Sequence, residues 1–194
     1  MLALADAMDD GRVPNAEIVL VVSDHPKAAG LQRASERGLK TRAIERGGRS
    51  REEHDLAIVA ALHECDVEIV CLAGYMRLLS KYFIEAYRNR ILNIHPSLLP
   101  AFPGLAAQRQ ALEHGVKWTG CTVHFVDETL DGGPIIAQSI VPVFEDDTED
   151  SLSERILQEE HKLYPEAVAL IATGKYELLN RRVRRSVPAH PRTA

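Results

Sequence analysis

An amide and an imidazole two residues apart, Asn93 and His95, stand at the end of a short apolar run in the segment Asn93-Ile94-His95-Pro96-Ser97-Leu98-Leu99-Pro100. On extended backbone such residues face the same side, so the two groups project together. Pro96 and Pro100 restrict the backbone that follows and would hold the pair in one direction. Groups aimed in this way can donate hydrogen bonds to a carbonyl oxygen that becomes negative when its carbon is attacked. The histidine can also carry a proton. The bland reading makes His95 a satisfied core histidine and Asn93 a turn cap. Asp131, in Asp131-Gly132-Gly133, is the carboxylate best placed to join them. Near His95 it would favour the imidazolium, although Asp-Gly-Gly is also an ordinary turn. His124 alternates with Val123 and Phe125 and reads as a structural strand residue, and His161 beside Glu160 as a histidine on a helix face.

The elements that must position these residues alternate along the chain. Residues 16–23 are nearly all apolar and β-branched, as in a strand covered on both faces of a parallel sheet. Helix 30–37, strand 41–45, helix 51–64, strand 67–73, helix 81–88 and strand 90–94 follow. This rhythm predicts an α/β fold, a mostly parallel twisted sheet with helices on both faces. Asn93 and His95 then lie at the carboxyl edge, where open α/β sheets bind ligands. Beyond a proline-stiffened loop come helix 105–114 and two strand-like runs, 119–126 and 134–143, joined by the Asp-Gly-Gly turn and expected to pair antiparallel. A long helix, 148–173, ends at Gly174, and one more strand candidate precedes a Pro- and Arg-containing tail.

Composition narrows the class. With 45% hydrophobic and 26% charged residues the chain is globular rather than disordered or fibrous. Its 23 basic against 28 acidic residues argue against a nucleic-acid backbone or an anionic membrane as the main partner. Cys65, Cys71 and Cys121 lack metal or disulfide spacing and read as small buried hydrophobes. No metal is expected. No apolar run approaches the roughly 20 residues of a membrane span, and the first residues carry no basic leader, so a cytoplasmic address is expected. Without repeats or linkers, residues 1–194 are expected to form one domain, with 188–194 a flexible tail.

Taken in order, Asn-Ile-His-Pro-Ser-Leu-Leu-Pro-x-Phe-Pro-Gly from Asn93, Thr-Gly-Cys-Thr-Val-His-Phe-Val from Thr119, Asp-Gly-Gly-Pro-Ile-Ile from Asp131 and Glu-His-x-Leu-Tyr-Pro from Glu160 resemble the phosphoribosylglycinamide formyltransferase family. The likeness runs from about residue 1 to residue 178. It implies a Rossmann-like formyltransferase fold with antiparallel strands in the C-terminal half. It also implies transfer of a formyl group from 10-formyltetrahydrofolate to the amine of glycinamide ribonucleotide in purine biosynthesis, by a monomer or homodimer. Asn93, His95 and Asp131 match the family's catalytic trio. Met76, Arg77, Leu78 and Leu79 match backbone lining the pterin pocket of the donor, to which Asn93 also belongs. Asp127, Glu128, Thr129, Leu130 and Asp131 match the loop closing over that ring, and Arg51 a donor-contacting arginine. Leu157, Gln158, Glu159 and Glu160 match the stretch meeting the ribonucleotide, Glu160 foremost.

The sequence departs from the family at its front. There the family has a strand and a Gly-rich turn that cradles the substrate phosphate with backbone N–H groups, whereas residues 1–8 match the helix after that turn. The chain is therefore expected to be N-terminally truncated, with two strands lacking a shared neighbour and the donor bound better than the ribonucleotide. The run Arg181-Arg182-Val183-Arg184-Arg185 reads as a solvated strand or tail. Methionyl-tRNA formyltransferases carry a tRNA-binding domain for which the length leaves no room. Formyltetrahydrofolate deformylase, with water as nucleophile, and a non-catalytic paralogue that binds folate are the alternatives.

Overall fold

The computed structural model describes residues 1–186; the expected tail, 188–194, lies outside the described residues. The elements in chain order are α1 (Leu2–Asp9), β1 (Val21–Ser23), α2 (Ala29–Glu36), β2 (Thr41–Ala43), α3 (Arg51–His63), β3 (Val70–Leu72), α4 (Lys81–Ala86), β4 (Ile91–His95), α5 (Ala107–Glu113), β5 (Trp118–Phe125), β6 (Ile135–Pro142), α6 (Glu149–Ala172), β7 (Tyr176–Leu179) and β8 (Arg182–Arg185). Local chemistry marks the boundaries. The Ser50 hydroxyl accepts from the Glu53 N–H at 3.1 Å while the Glu53 carboxylate accepts from the Ser50 N–H at 2.8 Å, a reciprocal cap that starts α3. Thr148 and Ser151 start α6 in the same way, and Gly174, at φ 62°, follows its end.

The sheet is mixed, and it is not continuous. β3, β4, β5, β6, β8 and β7 form six hydrogen-bonded strands in that order, whereas β1 and β2 make a separate parallel pair. β3 and β4 run parallel, and β4, β5 and β6 run antiparallel. Among the described residues no strand pairing joins the two sheets, so β1 has a neighbour on one edge only. That is why Val21, Val22 and Ser23 are half-buried rather than covered on both faces as their apolar composition predicts. The C-terminal end also departs from expectation. Asn180, at φ 55°, turns the chain between two strands instead of one, and Arg182–Arg185 joins the main sheet beside β6. Arg181 is not free in solvent, because its guanidinium donates to the Gly132 carbonyl. Of the cysteines only Cys121 is buried; Cys65 and Cys71 are half-buried, and all three are free thiols.

Two cores hold the layers together. One, containing Val123, Leu152, Ile156 and Val168, lies between the sheet and α6; the other, containing Ile58, Phe83, Ile84 and Tyr87, lies under α3 and α4. Adjacent residues on β4 fall into different cores, Leu92 into the first and Ile91 into the second. Because successive strand residues face opposite ways, β4 is covered on both sides. Leu20, Val22 and Ile44 tie the β1–β2 pair to the second core. Among the described residues no helix is long and apolar enough to cross a membrane.

The buried Tyr164 of α6 reaches across the sheet, its hydroxyl lying 2.9 Å from the Leu72 carbonyl and 3.0 Å from the Leu92 carbonyl. It thus stitches α6 to the end of β3 and to β4 one residue before Asn93. Replacing Tyr164 by Phe removes this donor and should cost about 1 kcal/mol of stability, read as a lowered urea midpoint with an unchanged m-value.

Candidate active site

β4 ends where the chemistry begins. Asn93 and His95 share one face of the strand, and the antiparallel register sets His124 opposite Asn93 and Thr122 opposite His95. The loop after His95 is pinned from below: the Thr122 hydroxyl donates to the Ser97 carbonyl at 2.7 Å and accepts from the Leu99 N–H at 3.0 Å. The Leu99–Pro100 bond is cis. Phe102 and Ala106 adopt left-handed backbone conformations, and the loop folds back over the strand end.

That return completes a cluster around Asp131. One carboxylate oxygen of Asp131 accepts from the Gly104 N–H at 2.8 Å and lies 3.4 Å from Nδ1 of His95. Nε2 of His95 is 2.9 Å from the Phe102 carbonyl. Both ring nitrogens of this buried histidine therefore face oxygen acceptors, a setting that suits a proton on each. The trio expected from sequence is brought together, but His95 does not point into open space as the strand-end reading predicts. The backbone of the 101–106 loop occupies its Nε2, and only by leaving the Phe102 carbonyl can that N–H reach another oxygen.

His124, read from sequence as structural, belongs to the same cluster. It is 2% exposed. Its Nδ1 lies 2.8 Å from the Phe125 carbonyl, a partner that can only accept, so Nδ1 carries the proton. Nε2 is then the lone-pair nitrogen, 3.2 Å from the amide nitrogen of Asn93, which donates to it. The other oxygen of Asp131 is 3.7 Å away. Burial pushes the imidazole below its ordinary value of 6.5, opposed by the Phe125 carbonyl and the Asp131 charge. A neutral His124 therefore orients the Asn93 amide and leaves its second hydrogen for a ligand. The sequence carried a signal for this: Thr122 and His124 repeat the two-residue spacing of Asn93 and His95.

The glycines after Asp131 are sterically required. A Cβ on Gly133 would lie 1.8 Å from the Phe125 carbonyl oxygen, and one on Gly132 would lie 2.4 Å from the Thr129 side chain. Asp131 itself sits at φ 47°. Earlier in the loop the Asp127 carboxylate accepts from the Thr129 N–H at 2.8 Å, and Glu128, Thr129 and Leu130 are exposed.

A cavity of about 520 Å³ collects Arg51, Arg77 and Leu78 of the expected donor-contacting residues, with Arg46, Asp55 and Tyr75. None of the trio lines it. Met76 is 77% and Leu78 59% exposed, whereas Leu79 is half-buried against the second core. Arg77 is tied to Asp24 at 2.7 Å and Arg51 leans on Glu52 at 3.4 Å. The buried Asp55 accepts from the Ser80 N–H at 2.5 Å, fixing the far end of this segment to α3. On α6, Leu157 and Gln158 are exposed, and Glu159 is held by Ser139 at 2.8 Å and Lys162 at 2.7 Å. Burial pushes the Glu160 carboxyl up to about 7, against the pull of the Met1 amine. Glu160 lies one helical turn before Tyr164, on the same face of α6. Among the described residues no group of three or more His, Cys, Asp or Glu could hold a metal ion.

Three outcomes follow from this geometry. His124→Asn removes the acceptor for Asn93, whereas His124→Gln can restore one, so the first should lower kcat at least about tenfold with little change in KM and the second less. In the wild type the unfolded chain protonates His124 first as pH falls below 6.5, so this residue lowers stability from there down to its depressed folded value. Urea midpoints measured from about pH 6.5 to pH 4.5 should fall less steeply in His124→Asn. Gly133→Ala should displace Asp131 and lose both activity and about 2 kcal/mol or more of stability, read by assay and urea titration.

Residues 1–168 match the family model described as formyl transferase. The chain is 48% identical over 174 residues to the trifunctional purine biosynthetic protein adenosine-3 of Drosophila melanogaster, covering 89% of itself but 13% of that protein. It thus spans only a small part of the length of such relatives. Against the phosphoribosylglycinamide formyltransferase of Escherichia coli it is 42% identical, covering 91% of this chain and 83% of that one. The crystal structure of glycinamide ribonucleotide transformylase 1 from Symbiobacterium toebii superposes with a TM-score of 0.92 at 52% identity, over 94% of this chain and 86% of that one. This chain belongs to the formyl transferase family.

Proposed function

We propose that this chain transfers the formyl group of 10-formyltetrahydrofolate to the amine of glycinamide ribonucleotide, in the cytoplasm, acting as one formyltransferase unit, monomer or homodimer, without a nucleic-acid or membrane partner. The observation that carries the reading is the meeting of Asn93, His95 and Asp131 at the end of β4. Relatives named for this reaction support it.

The neutral amine attacks the formyl carbon, forming a C–N bond and placing negative charge on the formyl oxygen. The free amide hydrogen of Asn93 donates to that oxygen, its direction set by His124. His95 adds a second donor once its Nε2–H swings from the Phe102 carbonyl, while Asp131, 3.4 Å from Nδ1, keeps the ring oriented. The proton released by the amine passes towards Asp131, directly or through water, and the donor nitrogen leaves with a proton as its bond to the formyl carbon breaks. Met76, Arg77, Leu78 and Leu79, with Asp127, Glu128, Thr129 and Leu130, would embrace the pterin, Arg51 the acidic end of the donor, and Leu157 to Glu160 the ribonucleotide.

Asn93→Ala and Asp131→Asn should each lower kcat about 100-fold or more, while calorimetry still finds folate bound. Loss of folate binding in step with rate would assign these residues to structure and overturn the reading.

A further inference from the structure

Gln138 and Arg181, two exposed residues, hold the loops of the site from outside it. The register sets His95, Thr122 and Gln138 in one row across β4, β5 and β6, and the loop after β4 lies on that row. Gly120 lets the loop come close, since a Cβ there would fall 2.9 Å from the Leu98 side chain. The side-chain amide nitrogen of Gln138 donates to the Leu99 carbonyl and to the Thr122 hydroxyl, each at 2.9 Å. Thr122 in turn binds the Ser97 carbonyl and the Leu99 N–H, so its hydrogen and both lone pairs are used. Both polar groups of the Leu99 backbone are thus held by side chains of β5 and β6. Phe102, whose carbonyl meets His95, and Gly104, whose N–H meets Asp131, follow directly in the same loop. The second loop has its own clamp. Arg182 pairs with Ile135 where β8 joins β6, which brings Arg181 beside the base of the loop between β5 and β6. Its guanidinium donates to the carbonyl of Gly132, the residue after Asp131. Bonds within that loop, from the Thr129 N–H to Asp127 and from the Gly132 N–H to the Thr129 carbonyl, shape it without tying it to the sheet. Asp131 is left-handed and its two glycine neighbours have no room for a Cβ, so its carboxylate follows the peptide that Arg181 holds.

We infer that Gln138 and Arg181 are positioning residues for the transfer and act as a pair: each holds one of the two loops that the Gly104–Asp131 contact joins, and together they set Asp131 against Nδ1 of His95. The inference rests on the reaction proposed above. Neither residue lines the 520 Å³ cavity, so their effect reaches the reaction through Asp131 and His95. A misplacement of about 1 Å can cost about a hundredfold in rate, and an anchor remote from the reacting atoms is therefore read in kcat rather than in affinity.

The test measures kcat and KM for Gln138→Leu, Arg181→Met and the double variant, with pteroylglutamate binding by calorimetry, folding by circular dichroism and the His95 imidazole by heteronuclear NMR. Each single variant should lower kcat about fivefold while KM and the folate Kd stay within about twofold. Each should also shift the His95 ring resonances, although neither substitution removes a contact of His95 itself. Arg181→Lys keeps a charged donor and should restore most of the rate. The double variant should fall about tenfold rather than by the roughly twenty-five-fold product of independent sites, because both residues act through one contact. Unchanged kcat in either single variant, equal losses of rate and affinity, or the full product in the double variant overturns the inference. If the His95 resonances shift as expected but the wild type transfers no formyl group to the ribonucleotide, the positioning stands and the transfer reading fails. If the wild type transfers and the variants match it, the transfer reading stands and the positioning fails.

Discussion

One hydrogen bond, from the Gly104 N–H to the Asp131 carboxylate, joins the two loops that make the site. One loop follows β4 and is held also by Thr122 of β5 and Gln138 of β6; the other connects β5 to β6 and is held also by Arg181. Asp131 reaches that amide because its backbone is left-handed and because Gly133 lets the chain pass against the Phe125 carbonyl. With the carboxylate so placed, His95 is gripped between Asp131 and the Phe102 carbonyl. The direction of His95 at the end of β4 thus depends on a contact between residues 27 positions apart.

The two buried imidazoles show how neighbours assign different work to the same side chain. His95 faces acceptors on both nitrogens and can serve as a double donor. His124 has an acceptor on one side and a donor, the Asn93 amide, on the other, so its useful state is the neutral one. They share Asp131 between them, one carboxylate oxygen lying 3.4 Å from His95 and the other 3.7 Å from His124.

What the sequence disclosed follows from what is local. Helices α3 and α6 were readable nearly to their caps because Ser50 with Glu53 and Thr148 with Ser151 lie within one turn, and the antiparallel β5–β6 pair was readable from the turn residues between two apolar runs. The Asn93 and His95 pairing needed only the two-residue period of a strand. His124 was missed because its role depends on register: nothing local to β5 says that it faces Asn93. The hold of Phe102 on His95 depends on left-handed residues in a proline-rich loop, and backbone carbonyls carry no sequence label. At the C-terminus the arginine run left strand and tail both open, because its exposed face says nothing of the pairing with β6 and β7 that makes it a strand.

The two sheets share no backbone hydrogen bond among the described residues, yet the 520 Å³ cavity is built from both sides of that division, with Arg46 and Arg51 following β2 and Tyr75, Arg77 and Leu78 following β3. Its width is therefore set by side-chain packing in the second core and by the Arg77 to Asp24 ion pair, not by a continuous ladder. Any ligand gripping both walls acts as a strut between two bodies. The docking of β1 and β2 onto the rest of the molecule then becomes a quantity that ligand concentration controls, rising with occupancy as any linked equilibrium does.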